Sequence, residues 1–519
     1  MEQRLKGSFA LSRTAEAARA TVERVLGDAA ARFQAQAPPP GGVELLAWSL
    51  DGDRLDVELR GGGTPPVHHA LLQVKNALAG TLGKAHKIGI REVSAPWAAF
   101  SEGLSREEID RELARFEPGP KYCDYAKVDE PASRAILFRD LAESELAPGY
   151  IDRILKDRMP RGSGPPAAGE PARGVPYGHL LRASKPKAPL FSEEVAAAGA
   201  ARGWVKRFPG RAQWVLLPPA ARLLYVLKDL AVEKVLRPLG FQEAMFPKLI
   251  SMEVMAKMPG YFEHLPEGMF YASSPPREPE KFKEFKEVAK LKKEIRRDIL
   301  RSLLPEPEYV LAPAQCEPFY QLFSKERVRL EDLPVKMFDA SGWTYRSEGG
   351  GVEGLVRTTE FWRMESVWLG TPEQVVETRD GIAEKAYELA EKTLDLEARL
   401  VVGAPFYAAP GAQDRVDISE SRAIPTKDLE VWLPYRGDRE RSEWLEIGAY
   451  TSARTKYVDA FHIKEAKDRD IWTGCGGFGL TRWMAGFLAQ KGLDADRWPA
   501  EVKKRYGKAM PGLKMVTWP

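Results

Sequence analysis

Apolar and polar residues follow two periods along this chain, and each period predicts an element. Val43–Ser49 and Leu55–Leu59 alternate on either side of Asp51-Gly52-Asp53, the pattern of a hairpin closed by an Asp-Gly turn. Thr14–Phe33 reads as a polar-rich helix. His68–Leu82 reads as a second helix, with Leu71, Leu72, Val74 and Leu78 near one face. Lys87–Val93 predicts a strand and Ser105–Phe116 a charged helix. These elements predict an α+β domain over residues 1–160, an antiparallel sheet with helices. Pro160–Pro189 is crowded with Pro, Gly and Ala. Its Gly162-Ser163-Gly164-Pro165-Pro166 breaks helix and strand alike, so 161–200 reads as a linker.

A second domain follows over 201–519. Ala220–Leu236 is a strong helix with Leu223, Leu224, Leu227, Leu230, Val235 and Leu236 at core spacing, stopped by Pro238-Leu239-Gly240. Phe241–Phe246 predicts a short strand ending at Pro247. A helical insert spans about 277–304. Its ten Lys/Arg against six Asp/Glu between Arg277 and Arg301 suit a solvated face better than a dedicated nucleic-acid surface. Strands and Gly-rich turns then lead to a helix over Leu480–Gln490, capped by Gly492. The whole reads as α+β: an antiparallel sheet flanked by helices, preceded by a smaller α+β domain.

Composition narrows the class. A chain of 519 residues has room for roughly three domains of ~150 residues each. A net charge of +3 does not by itself call for a nucleic-acid partner. Three cysteines (Cys123, Cys316, Cys475) argue against a disulfide framework and for a reducing cytoplasm. Cys123 reads as packing. No signal peptide and no membrane span are expected.

Three segments carry chemistry. Thr344–Glu348, Gly349-Gly350-Gly351 and Arg357–Glu365 predict two strands around a glycine loop. Residues two apart in a strand share a face, so Arg346 pairs with Glu348, and Phe361 with Arg363 and Glu365. Guanidinium forks suit phosphate oxygens, and a Phe face suits a purine. The second segment, Trp472–Arg482, matches G-x-G-x-x-G by coincidence: no βαβ unit follows, and it reads better as a strand whose glycines admit a ligand, leading to a helix that starts at Arg482. Third, Cys316, Glu365 and Cys475 together could hold one zinc ion with a fourth position open. A buried Cys is more often packing, and there is no C-x-x-C pair, so both readings stand on spacing alone.

These residues resemble class II aminoacyl-tRNA synthetases, and more narrowly the atypical zinc-dependent seryl-tRNA synthetases first known from methanogenic archaea. The likeness runs nearly end to end, through His68–Val93, the element ending at Pro247, Pro334–Asp339, the arginine hairpin and the Cys475 strand. It implies a homodimer with Pro247 at the end of an interface motif. It also implies ATP, Mg²⁺ and Zn²⁺ as cofactors or substrates, and an amino acid and tRNA, tRNA-Ser in the first instance, as partners. Arg346 would hold the α-phosphate, with Glu348 near the adenine or substrate. Arg357 would reach the terminal phosphates, Phe361 and Arg482 would sandwich the adenine, and Glu446 would face phosphates and Mg²⁺. Cys316, Glu365 and Cys475 match the zinc ligands, and the substrate amine would take the fourth site. Residues 1–160 would bind tRNA.

The sequence departs from that family around the amino acid. Pro405 and Ala409 stand where the family's substrate loop offers Trp and Gln, and Ala449 and Thr451 where a strand offers Asn and Ser. Losing polar partners weakens discrimination for a hydroxyl. Two other readings therefore stay open: a ligase loading another amino acid onto a carrier protein or other acceptor, and a non-catalytic tRNA-binding paralogue. The retained arginines and metal ligands speak against the second.

Overall fold

The structure, a computed structural model, describes residues 2–36, 42–62, 65–102, 125–130, 133–147, 149–158, 174–346, 353–408 and 415–513, with pairs at 107–108 and 111–112. Glu348, Ala409, Cys123, the 162–166 breaker and most of Ser105–Phe116 lie outside these residues. The chain divides into two compact units, Met1–Glu170 and Pro171–Pro519.

The first unit is an antiparallel sheet with helices. The expected hairpin is β2 (Val43–Asp51) and β3 (Arg54–Gly61), and Gly52 has the positive φ (59°) that its turn needs. With β1 (Glu2–Leu11), β4 (Ile90–Glu102), β5 (Tyr125–Glu130) and β6 (Ser133–Ala142) the sheet order is β2-β3-β1-β4-β6-β5. Two helices, α1 (Arg19–Gln36) and α2 (Val67–His86), share a core with it. Val67, Ala70, Leu71, Val74, Leu78 and Leu82 of α2 are buried at helical spacing. At Gly7 of β1 the two layers approach closely, since a Cβ there would stand 2.3 Å from Leu71 Cδ1. The strand expected at Lys87 begins three residues later: Lys87 takes a left-handed φ of 56° and caps α2.

The second unit is built on a nine-stranded sheet. Its strands are β7 (Leu180–Ala183), β8 (Gln242–Glu243), β9 (Val335–Asp339), β10 (Trp343–Tyr345), β11 (Glu360–Gly370), β12 (Ala398–Gly403), β13 (Thr426–Val431), β14 (Leu445–Arg454) and β15 (Trp472–Gly479). The order is β8-β9-β11-β15-β14-β13-β12-β7, with β10 paired to β11, and every pairing except β8–β9 is antiparallel. Part of the expected linker is therefore a strand, because Leu180–Ala183 pairs with β12. The predicted strand at Phe241–Phe246 shrinks to Gln242–Glu243.

One sheet face packs on α3 (Pro218–Ala231), on a helix over Pro372–Glu388 and on a helix over Leu480–Lys491, around Leu223, Leu230, Trp368, Ile382, Phe478 and Trp483. The last helix begins at Leu480, as its apolar spacing predicts, with Arg482 in its first turn, and it is capped by Gly492, whose φ is 71°. Val367, Leu369 and Cys475 face the other way, with Ile250, Met255, Tyr261, Phe319, Tyr320, Tyr457 and Phe461. The charged insert is two helices, Lys283–Lys292 and Arg297–Leu303, broken by Lys293 at φ 57°. Neither buries a residue, as expected for solvated faces. Among the described residues no helix is long and apolar enough to cross a membrane.

Candidate active site

Strand register assembles the metal candidates. Glu365 stands opposite Gly477, and Val367 opposite Cys475, so Glu365 and Cys475 share one face of β11–β15. Cys316 arrives from outside the sheet, at the N-cap of a short helix over Glu317–Leu322. Gln315 before it is fully buried at φ 81°, a strained position for a side chain larger than Gly. Its amide donates to Thr344 Oγ1 (2.8 Å) and to the Gly342 carbonyl (3.1 Å), which ties the Cys316 turn to β10.

The ligand atoms of Cys316, Glu365 and Cys475 lie within 4.8 Å of one another, and all three residues are buried. Arg363 Nε donates to Glu365 Oε2 at 2.6 Å, while Oε1 is buried without a partner. A hydrogen bond to Cys475 and burial, reinforced by the charges of Glu317 and Glu365, raise the Cys316 thiol well above its usual range. Burial also raises the Glu365 carboxyl, against the pull of Arg363. Two thiols and one free carboxylate oxygen, converging in a buried place, form a donor set suited to zinc, whose charge would stabilise the ionised ligands.

A second trio, His68, His69 and Asp152, also converges. There His68 Nε2 lies 3.2 Å and His69 Nε2 3.1 Å from the two Asp152 oxygens, so ordinary hydrogen bonds account for it.

The arginines frame a cavity of about 570 Å³. Arg357, Arg399, Arg436 and Arg482 line it with Glu430, Glu443, Trp444, Leu445 and Glu446. Arg482 is aimed by backbone carbonyls: Nε donates to Val356 O (3.0 Å) and Nη1 to Glu446 O (3.4 Å). Arg399 Nε meets Glu430 Oε2 at 2.6 Å, and Arg357 and Arg436 both approach Glu443. Glu430 and Glu446 are cross-strand partners. Next to them, burial and then the charges of Glu446 and Glu430 push the Asp428 carboxyl well up. Crowded carboxylates facing guanidinium groups suit a polyphosphate with its divalent cation.

Arg346 follows β10, its N–H donating to Thr359 O (3.0 Å). Its charge and that of Arg363 both act on the buried Tyr261 hydroxyl, and Arg346 is not among the residues lining the arginine cavity. Phe361 is only 8 % exposed at the start of β11.

Several residues escaped sequence reasoning. Arg399, Arg436 and Glu443 come from segments without a motif; Arg399 alone had a signal, its register opposite Glu430 across β12 and β13. The glycines of β15 admit protein side chains: a Cβ on Gly474 would meet Trp368 at 2.2 Å, and one on Gly477 would meet Arg363 at 2.1 Å. Glu317 is fully buried and neither carboxylate oxygen has a hydrogen-bond partner. Burial raises its carboxyl to about 7, and Glu365 adds to that, against nearby backbone N–H groups and Arg363.

An antiparallel sheet carrying an arginine hairpin, with a guanidinium–carboxylate cavity beside it, is the core of a class II aminoacyl-tRNA synthetase. Residues 303–491 match the family described as tRNA synthetase class II core domain (G, H, P, S and T), and residues 1–158 match a tRNA-binding domain family. The chain is 39% identical to the type-2 serine–tRNA ligase of Methanocaldococcus jannaschii, covering 97% of this chain and 96% of that protein. It is 37% identical to that of Methanopyrus kandleri, covering 96% and 95%. The crystal structure of M. kandleri SerRS in complex with A. aeolicus tRNASec superposes with a TM-score of 0.74 at 34% identity, covering 100% of this chain and 99% of that one. The chain belongs to the type-2 serine–tRNA ligase family, and so to the aminoacyl-tRNA synthetases, which work with ATP and Mg²⁺.

Proposed function

We propose that this protein activates serine with ATP at a zinc-holding site and transfers it to tRNA-Ser. The observation that carries the reading is the buried Cys316–Glu365–Cys475 trio, with one glutamate oxygen pinned by Arg363 and the other unpartnered. Zinc held there would supply a Lewis-acidic seat for an amine and so orient the substrate.

The protein's own residues do the rest. Arg346 receives the α-phosphate, while Arg357 and Arg482 neutralise charge on the nucleotide. Glu430 and Glu446 would hold Mg²⁺, which would neutralise charge on the phosphates. Phe361 offers an apolar wall to the adenine, and Glu348 serves the adenine or the substrate. The amino-acid carboxylate attacks the α-phosphorus and pyrophosphate leaves. Such a displacement depends on alignment and charge neutralisation more than on a protein nucleophile. Residues 1–158 hold tRNA, the catalytic unit works as a homodimer through the segment ending at Pro247, and the protein acts in the cytoplasm.

Aminoacylation tests this reading: metal-stripped protein should fail to charge tRNA-Ser, and added zinc should restore charging. Full charging by stripped protein contradicts the zinc assignment.

A further inference from the structure

The strand floor beside the metal trio offers little to a substrate hydroxyl. Ala449 lies between Gly477 and Asp428 in the sheet and carries no polar side-chain atom. Thr451 faces Cys475, but its hydroxyl is already paired with Thr426 Oγ1 at 2.9 Å. Buried polar atoms without a partner stand instead around the two cysteines: the Tyr320 and Tyr457 hydroxyls and the carboxylate of Glu317. Glu317 follows Cys316 directly, is fully buried, and has both carboxylate oxygens without a hydrogen-bond partner. It is the first residue of the short helix that Cys316 caps, which keeps it beside the metal trio. An unpartnered buried carboxylate is among the most costly arrangements in a fold, and a bound donor is what relieves it.

We propose that Glu317 is a specificity-determining residue, accepting a hydrogen bond from the side-chain hydroxyl of the amino-acid substrate where Ala449 offers none. This rests on the serine reading above. A carboxylate acceptor gives a charge-assisted bond, and a substrate lacking the hydroxyl leaves it buried and unpaired, so alanine is rejected.

The test is ATP–pyrophosphate exchange by full-length, zinc-loaded protein with serine and with alanine. In Glu317→Gln the serine-over-alanine ratio of kcat/KM should fall roughly 10- to 100-fold, with zinc content and the KM for ATP unchanged. Gln removes an unpaired charge at constant shape, so folding should survive. Glu317→Asp, which withdraws the carboxylate by one methylene, should lower the ratio as well. Adding Ala449→Asn to Glu317→Gln should recover part of it. An unchanged ratio, equal loss for both amino acids, or loss of zinc overturns the proposal. Wild-type protein is measured first: no exchange with serine overturns the functional reading itself, whereas serine exchange with an unchanged ratio in Glu317→Gln overturns only the role of Glu317.

Discussion

Gly477→Ala adds one methyl group at the centre of the site. Gly477 lies opposite Glu365 on one neighbouring strand and Ala449 on the other. The new Cβ would stand 2.1 Å from Arg363 Nη2, 2.3 Å from Cζ and 2.6 Å from Nε, all far inside van der Waals contact. The guanidinium must move, and it is the group that holds Glu365 Oε2 at 2.6 Å. Breaking a buried ion pair by removing one partner costs about 3–5 kcal/mol. The Arg363 side chain is 20 % exposed and flexible, so some of that contact re-forms, leaving a loss on the order of 2–3 kcal/mol. That corresponds to roughly 30- to 150-fold in zinc affinity and in kcat/KM for the amino acid. Chelator competition reads the first and pyrophosphate exchange the second. If the methyl acts through Arg363, the Gly477→Ala/Arg363→Ala double variant should be no worse than Arg363→Ala alone. Wild-type zinc retention and amino-acid kinetics in Gly477→Ala would refute the reasoning, as would additive losses in the double variant.

Other predictions follow from the same geometry. Cys316→Ala or Cys475→Ala should abolish zinc binding and exchange together, and metal analysis showing one zinc per chain in either variant contradicts the ligand set. Arg482→Ala should raise the KM for ATP at least tenfold, in keeping with loss of a charge-assisted contact, while changing that for serine far less; titrations with each ligand decide it. Burial, with a lesser contribution from the neighbouring His69 charge, depresses His68 from the ordinary 6.5 to about 4. The unfolded chain therefore takes up a proton that the native ring refuses as pH falls through this window. Stability should drop by roughly 3 kcal/mol between pH 6.5 and pH 4 from this group. Denaturant unfolding at pH 7.5 and pH 5 reads this slope, which His68→Gln should flatten; an unchanged slope rules the cause out.

Local patterns were legible where one element decides its own form. The Asp51-Gly52-Asp53 turn specifies its hairpin, and period two puts Arg363 and Glu365 on one face of β11, where they bond. Lys87 and Lys293 were not legible as breaks, because each takes a left-handed φ that its residue type does not announce. Leu180–Ala183 hid in a Pro-rich stretch because its pairing with β12 is long-range. Cys316 and Cys475 are joined only through the sheet register and the strained turn at Gln315, neither of which spacing encodes. The resemblance supplied that pairing, and the geometry brings the three ligand atoms together. The orphaned carboxylate of Glu317 could be recognised only once burial and partners were known.

The most direct measurement is ATP–pyrophosphate exchange by purified zinc-loaded protein against each of the twenty amino acids. Strong exchange is expected with serine and little with alanine or any other amino acid. Strong exchange with a different amino acid, or none with serine, would contradict that expectation.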